Sequence, residues 1–317
     1  MRLHRDYRGL SQAATGAAVV IGNFDGLHRG HRALIERCQA IALEERLPTG
    51  LVTFEPHPRR VFSPDGPPFR LTPFRSKLRQ IAALGIERLY CLRFNAALYR
   101  KPAEAFVAEV LVGGLRVRHA VIGYDFVFGH RRGGSAETLQ ELGRRHDFAV
   151  SVLEAVTHGE DVCSSTVIRK DLEAGRVRRA AELLGRCWEV EGRVRHGQRR
   201  GRTIGFPTLN LHLGPTALRP ALGVYAVKVG LVEAAATRWL PGVANFGRRP
   251  TVEGTGLVLE AHVFDFAGDL YGRRVRIAFV DYLRGERKFP SLAALQAQIG
   301  LDSQQARQLL ARPEYAF

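Results

Sequence analysis

Methionine, cysteine, tryptophan and lysine are scarce in this 317-residue chain. It has one Met, four Cys and two Trp, and lysine supplies only five of its 47 basic residues, leaving 42 arginines. Cys38, Cys91, Cys163 and Cys187 stand far apart with no CxxC pair. That spacing argues against a zinc cluster and against a disulfide framework, and makes a reducing cytoplasm the expected setting. No apolar run approaches the roughly 20 residues of a membrane span. The opening Met1-Arg2-Leu3-His4-Arg5-Asp6 lacks the apolar core of a signal peptide. The formal net charge of +16 invites a nucleic-acid reading. Against it stand the missing features: no basic tail, no aromatic-interleaved basic strand, and arginines spread along the chain with a modest concentration near Arg193–Arg202. The arginine-for-lysine skew, with abundant Ala and Gly, reads as GC-rich codon usage. Anionic small substrates would profit from the same positive field, so nucleic acid is not expected as a partner.

What is present is organised in two halves. Apolar runs at Ala17–Ile21, Gly50–Phe54, Arg88–Phe94, His119–Ile122 and Ala149–Leu153 predict strands. Amphipathic runs at His31–Arg46, Phe74–Leu84, Ala103–Leu111, Ala136–Arg145 and Thr166–Ala174 predict helices between and after them. Such alternation implies a parallel sheet covered on both faces, with ligands at the carboxyl ends of the strands. After a basic helix, Arg178–Leu184, the pattern changes to short strands broken by Gly and Pro: Trp188–Arg195, Gly223–Val229, Leu240–Ala244, Leu257–Phe264 and Arg274–Tyr282. Helical periodicity returns at Leu292–Ile299 and Ser303–Leu310. This predicts an α/β chain: a Rossmann-like domain, residues 1–185, then a small antiparallel barrel with a C-terminal helix, residues 186–317. No internal repeat is visible.

The first strand runs into Gly22-Asn23-Phe24-Asp25-Gly26-Leu27-His28-Arg29-Gly30-His31. Gly22, Gly26 and Gly30 let backbone approach a phosphate, turn amides and a helix N-terminus face an anion, and two histidines stand beside them. His28 and His31 can donate hydrogen bonds to phosphoryl oxygens in a transition state; the plainer alternative is that they cap the helix. This turn resembles that of HxGH-type nucleotidyltransferases, and particularly of bacterial FAD synthetases. Two further segments agree. Ser164-Ser165-Thr166-Val167-Ile168-Arg169 opens a predicted helix and resembles the family's SSTxxR segment, which implies that its serines hold pyrophosphate and that Arg169 forks onto the oxygens; read alone, it is a helix cap. Phe54, His57 and Pro58 follow the second strand, and Asp125, Phe126 and Phe128 follow the fourth. The phenylalanines are core residues or flat walls for a tricyclic ring, and the resemblance implies a flavin there, with Asp125 and His57 at its polar edge. Ser135 departs from the acidic or amide residue more usual in the family.

In the second half, Gly201-Arg202-Thr203-Ile204-Gly205-Phe206-Pro207-Thr208-Leu209-Asn210 puts a hydroxyl and an amide two residues apart, on one face if extended. Both are hard oxygen ligands suited to Mg²⁺. The segment resembles the Pro-Thr-x-Asn signature of riboflavin kinases, with Leu209 where alanine is commoner. The resemblance extends to the segment Gly242–Thr251, whose Asn245 would order the phosphate loops. It also covers the strand holding Glu260, either an outward strand carboxylate or the general base. The loop Tyr282–Phe289 matches the flavin-side loop, with Arg284, Glu286 and Phe289 as contacts. Gly201, Arg202, Gly205 and Pro207 complete an ATP-binding loop. The chain is thus identified as a member of the bifunctional riboflavin kinase/FAD synthetase family. That membership implies ATP as co-substrate, Mg²⁺ as cofactor, and riboflavin and FMN as substrates. A chain with one live activity, its other half a binding module, and a basic nucleic-acid-binding protein are the alternatives.

Overall fold

A computed structural model describes residues 1–197, 201, 204–233, 236–251 and 254–315. The chain packs as two compact units, Met1–Pro67 with Phe74–Cys163, and Pro68–Pro73 with Ser164–Phe317.

In the first unit, strands β1 (Arg2–His4), β2 (Ala18–Ile21), β3 (Thr49–Glu55), β4 (Arg88–Arg93), β5 (His119–Gly123) and β6 (Ala149–Leu153) form one sheet in the order β1-β4-β3-β2-β5-β6. Every pairing is parallel. A small hairpin, β7 (Thr157–His158) with β8 (Asp161–Val162), follows. Helices α1 (Arg29–Glu44), α2 (Pro58–Phe62), α3 (Phe74–Ala83), α4 (Ala96–Tyr99), α5 (Ala103–Ala105) and α6 (Ala136–Arg145) connect the strands. Because alternate strand residues face opposite sides, the continuous apolar runs feed two cores. Ala18, Val20, Leu51, Leu89 and Val121 pack with Ile35, Cys38 and Ile41 of α1. On the other face Val19, Ile21, Val52, Tyr90 and Ile122 pack with Phe106, Val110, Leu139 and Leu142. Burial pushes the Cys38 thiol up to about 12, and all four cysteines are free.

The order of this sheet sets the site. From β2 the chain moves outward through β3 and β4, then returns to lay β5 against the other side of β2. The connections after β2 and β5 therefore diverge at the carboxyl edge and open a crevice there. Two differences from the sequence reading have local causes. The expected helix Ala103–Leu111 becomes α5 followed by a π-helical stretch Phe106–Gly114. The wider coil keeps Phe106, Val107, Val110 and Leu111 all buried, while Gly114 lies so close to Tyr7 that a Cβ would fall 2.7 Å from its carbonyl. Strand β1 was not anticipated, since three residues paired to β4 carry no periodicity.

The second unit begins with α7 (Ser165–Glu173) and α8 (Val177–Leu184). Strands β9 (Trp188–Arg193), β10 (Leu209–Leu211), β11 (Gly223–Val232), β12 (Thr237–Thr251), β13 (Gly254–Val263) and β14 (Arg274–Arg284) then form an antiparallel sheet in the order β10-β13-β12-β11-β14-β9. Its two edges meet where the Arg195 N–H donates to the Asn210 carbonyl at 2.9 Å, which curls the sheet toward a barrel. Tyr225, Phe246, Leu259, Ala261 and Phe279 fill the interior. Val224, Ala226, Val243 and Val280 lie on the outer face, under Ala306 and Leu310 of the C-terminal helix α9 (Leu292–Leu310). That helix is continuous where the sequence suggested two. Gly300 costs about 1 kcal/mol in a helix, but Asp302 just after it is buried and bonded to Arg284 and Gln298. The strap Pro68–Pro73 is stitched into this unit: the Phe69 and Arg70 amides donate to the Thr216 carbonyl at 3.0 and 2.9 Å, and the Trp188 indole donates to Leu71 O at 2.9 Å. Among the described residues, no helix is long and apolar enough to cross a membrane.

Candidate active sites

In the first unit the turn after β2 is a wound, buried loop. The Gly22 N–H donates to Val52 O at 3.1 Å, so the turn leaves from the β2–β3 pair. Phe24 and Leu27 take left-handed backbone with φ of 50° and 47°, and Gly26 has φ 91°. Such a conformation costs a non-glycine residue of order 1–3 kcal/mol and persists only where surroundings enforce it. Here the enforcement is burial: Phe24, Asp25 and Leu27 are all essentially inaccessible, while Asn23 is exposed. His28 is the N-cap of α1, its Nδ1 accepting from the His31 N–H at 3.4 Å. The capping alternative is therefore realised for His28, and it has a consequence. An Nδ1 that accepts obliges the neutral ring to carry its proton on Nε2, which makes Nε2 the donor. The His28 and His31 rings stack at 3.7 Å, and Phe24 lies 5.1 Å from His31. A Cβ on Gly30 would fall 3.2 Å from both the His28 ring and the Cys163 carbonyl, so only glycine sits there without displacement.

The sequence reading passed over Lys77. It is wholly buried, and its Nζ donates to Asn23 O at 2.9 Å, to a Glu55 carboxylate oxygen at 3.3 Å and to Thr53 Oγ1 at 3.5 Å. Thr53 Oγ1 also donates to Asn23 O, at 3.2 Å. The available signal was a lysine between Phe74 and Ile81 on the apolar stripe of α3.

The expected flavin residues gather near the same strand ends and divide by burial. Phe54 is half-buried and packs edge-on against Phe94 at 5.9 Å. Phe126 is half-buried and stacks on Phe128 at 5.5 Å, whereas Phe128 is itself core and its backbone is bridged to Gly134. His57 is buried and caps α2, Nδ1 accepting from the Arg59 N–H at 3.1 Å, with Pro58 as the first helical residue. Asp125 is exposed. Phe62, Phe94 and Tyr99 form an adjoining aromatic cluster the sequence reading did not name, and Phe62 is 63% exposed. Ser135 is the N-cap of α6, accepting from the Thr138 N–H.

In the second unit Ser164 caps α7, accepting from the Val167 N–H at 3.3 Å, with Ser165 and Thr166 in its first turn. Arg169 donates from Nε to Phe69 O at 2.8 Å, its guanidinium 5.6 Å from the centre of the Phe69 ring.

Strand register assembles the remaining candidates. Glu260 of β13 lies directly opposite Asn210 of β10 on one side and Asn245 of β12 on the other. Asn245 in turn faces Val224, and Val224 faces Arg284. Directly opposed residues share a face, so these side chains make one transverse row. Leu259 and Ala261 point into the barrel, which puts Glu260 on the outer face, beyond the part that α9 covers. The register gives Glu260 two amide neighbours, and its side chain is half-buried.

Around this row the glycine loop is tight. The Phe206 N–H donates to Gly201 O at 2.8 Å, and a Cβ on Gly201 would fall 2.3 Å from Phe206 O. Gly205 has φ 84°. The Pro207 carbonyl accepts from His262 Nδ1 at 2.9 Å. Arg202 lies outside the described residues, as does Thr203. Beside half-buried Thr208 is an open cavity of about 80 Å³, lined by Val194, Pro207, Leu209, Val263, Leu270 and Tyr271 among others. Tyr271 and its stacking partner His196, at 3.9 Å, were not anticipated. Arg284 is clamped in two-pronged fashion by buried Asp302, at 2.9 and 2.6 Å, with Phe289 5.7 Å away. The Glu286 carboxylate sits over Gly247, where an added Cβ would lie 2.0 Å from its oxygen and 2.9 Å from the Asn245 amide.

One unit thus has the strand-turn-helix of a nucleotide-binding parallel sheet, and the other an antiparallel half-barrel with a carboxylate between two amides. That is the architecture of a two-module transferase. The FAD synthetase family model matches residues 10–167, and the riboflavin kinase model matches residues 184–310. The chain is 42% identical over 310 residues to the bifunctional riboflavin kinase/FMN adenylyltransferase of Escherichia coli (strain K12), covering 97% of each. It is 42% identical over 315 residues to that of Pseudomonas fluorescens, covering 98% of each. A crystal structure described as a macrolide-efflux protein from Streptococcus pneumoniae superposes with a TM-score of 0.86 at 30% identity, covering 96% of this chain and 98% of that one. The chain belongs to the bifunctional riboflavin kinase/FMN adenylyltransferase family.

Proposed function

We propose that this chain carries out both reactions of its family, phosphorylating riboflavin to FMN and adenylylating FMN to FAD, with ATP as co-substrate in each. The division is one of chemistry rather than packing: residues 1–185 serve adenylylation and residues 186–317 phosphorylation. Glu260, held in register between Asn210 and Asn245, is the observation that carries the reading.

In phosphorylation, Glu260 takes the proton from the ribityl 5′-hydroxyl as that oxygen bonds to the γ-phosphorus and the bond to the β-phosphate oxygen breaks, releasing ADP. Thr208 and Asn210 fit Mg²⁺. They offer two neutral hard oxygens two residues apart, Thr208 just before β10 and Asn210 within it, with the Glu260 carboxylate opposite Asn210. When bound, the ion neutralises charge on the phosphates. Gly201, Arg202, Gly205 and Pro207 shape the phosphate loop, the cavity at Tyr271 takes the adenine, and Asn245 orders the loops. Glu286 and Phe289 meet the flavin, while Arg284, already clamped by Asp302, fixes the base of their loop.

In adenylylation a phosphate oxygen of FMN bonds to the α-phosphorus of ATP, and pyrophosphate leaves. His28 and His31 donate to the phosphoryl oxygens, and the turn Gly22, Asn23, Phe24, Asp25, Gly26 and Gly30 cradles the nucleotide. Arg169, Ser164, Ser165 and Thr166 take the pyrophosphate. Phe54, His57, Pro58, Asp125, Phe126 and Phe128 hold the isoalloxazine and its polar edge. We place both reactions in the cytoplasm, with no nucleic-acid partner.

Purified protein given riboflavin, ATP and Mg²⁺ is expected to yield FMN and then FAD by chromatography, and excess EDTA should suppress the conversion. FMN alone, or no conversion, overturns the two-reaction reading. Salt-sensitive binding of nucleic acid without flavin turnover would favour the basic binding protein instead. Gly201→Ala is expected to depress riboflavin phosphorylation on the order of 100-fold, because the added methyl forces the loop open and small misplacements cost that much. FAD formation from supplied FMN checks that the effect is local and should be unchanged.

A further inference from the structure

Lys77 is a fully buried cation that the chemistry above does not use. Its ammonium is spent inside the protein, on the carbonyl of Asn23, an exposed residue of the nucleotide turn. Asn23 O accepts from Lys77 Nζ at 2.9 Å and from Thr53 Oγ1 at 3.2 Å, and the Glu55 carboxylate lies 3.3 Å from the same ammonium. A peptide group is planar and trans, so its C=O and the following N–H point in opposite directions. With the Asn23 carbonyl drawn inward to two donors at the carboxyl end of β3, the Phe24 N–H is turned the other way. It therefore faces outward, where the sheet order opens its crevice. Phe24 itself is held in left-handed backbone with φ 50°, so this peptide has a competing flipped arrangement to be guarded against. A neutral side chain at position 77 would remove the strongest restraint on it.

We infer that Lys77 is a positioning residue for adenylyl transfer: through Asn23 O it fixes the peptide plane that presents the Phe24 amide to the nucleotide phosphates. This rests on the reading of the turn as the ATP site of the adenylylation reaction. The role differs from that of a core residue in one measurable way. Loss of stability lowers the fraction of active enzyme, hence the apparent kcat, but leaves KM for ATP alone. Loss of a phosphate-facing amide raises KM for ATP as well.

The test compares Lys77→Met with Ile81→Ala, a change one turn further along α3 that empties the core shared with Phe24 and Leu27 but removes no hydrogen bond to the turn. FAD formation from FMN is followed against ATP concentration, with riboflavin phosphorylation by the same protein as the internal control. Lys77→Met is expected to lose on the order of 100-fold in kcat/KM for adenylylation, with KM for ATP raised about tenfold. Phosphorylation should stay within about twofold, and Ile81→Ala should leave KM for ATP unchanged. An unaltered KM in Lys77→Met, or an equal rise in Ile81→Ala, overturns the inference. If Lys77→Met is unfolded, Thr53→Val decides. It removes the second donor to Asn23 O while keeping side-chain shape; a raised KM supports the inference and an unchanged one overturns it. Wild-type protein that forms no FAD overturns the site assignment itself, a result distinct from either.

Discussion

Replacing Glu260 by Gln is expected to cut riboflavin phosphorylation by roughly 10²- to 10⁴-fold, the usual contribution of a positioned general base. The substitution keeps the size of the side chain and its ability to accept from the flanking amides of Asn210 and Asn245, so the transverse row should survive. What is lost is the capacity to take the 5′-hydroxyl proton. The loss should therefore fall on kcat, with KM for riboflavin and ATP changing little. FAD formation from supplied FMN gives the second readout and should hold within about twofold, since Glu260 takes no part in that reaction. A Glu260→Gln protein that phosphorylates riboflavin within about tenfold of wild type would remove Glu260 from the chemistry. The remaining role would then be the plain alternative of an outward strand carboxylate, which its half burial on the outer face does not by itself forbid.

The elements legible in the sequence were those whose residue types follow a clear repeat. Ala149–Leu153 and Ala136–Arg145 occur with the expected limits because each has a clear repeat and, for the helix, a serine cap. Strand β1 was invisible for want of length, and β10 hid inside a motif read only for its ligands. The π-helical stretch Phe106–Gly114 shows a different limit: helical spacing announces a helix, but which coil it adopts is decided by the neighbours it must bury. The motifs nominated most of the candidate site residues because glycine, histidine and paired polar side chains have few other uses at such spacing. Roles that depend on long-range partners were hidden. Nothing local to Arg284 announces Asp302, eighteen residues on, and nothing near Asn23 announces Lys77, which reaches it from α3. The position of Glu260 shows the same limit, since only the pairing of β10, β13 and β12 sets it between two amides.

His31→Ala is expected to do the reverse of Glu260→Gln. FAD formation from FMN should fall by roughly 100- to 1,000-fold, the usual loss when a donor aimed at developing charge is removed, while riboflavin phosphorylation persists. The stacking of His31 on His28 at 3.7 Å makes a control necessary, because either ring could steady the other. His28→Ala supplies it. That change also removes the N-cap of α1, for which about 1 kcal/mol of stability is the ordinary cost, so its melting temperature should fall where that of His31→Ala holds. If the two histidines act together on one phosphoryl group, the double variant should lose much less than the product of the single losses. Fully multiplicative losses would mean separate roles, and a His31→Ala protein with normal FAD synthesis would leave the second histidine of the turn as packing against Phe24 and nothing more.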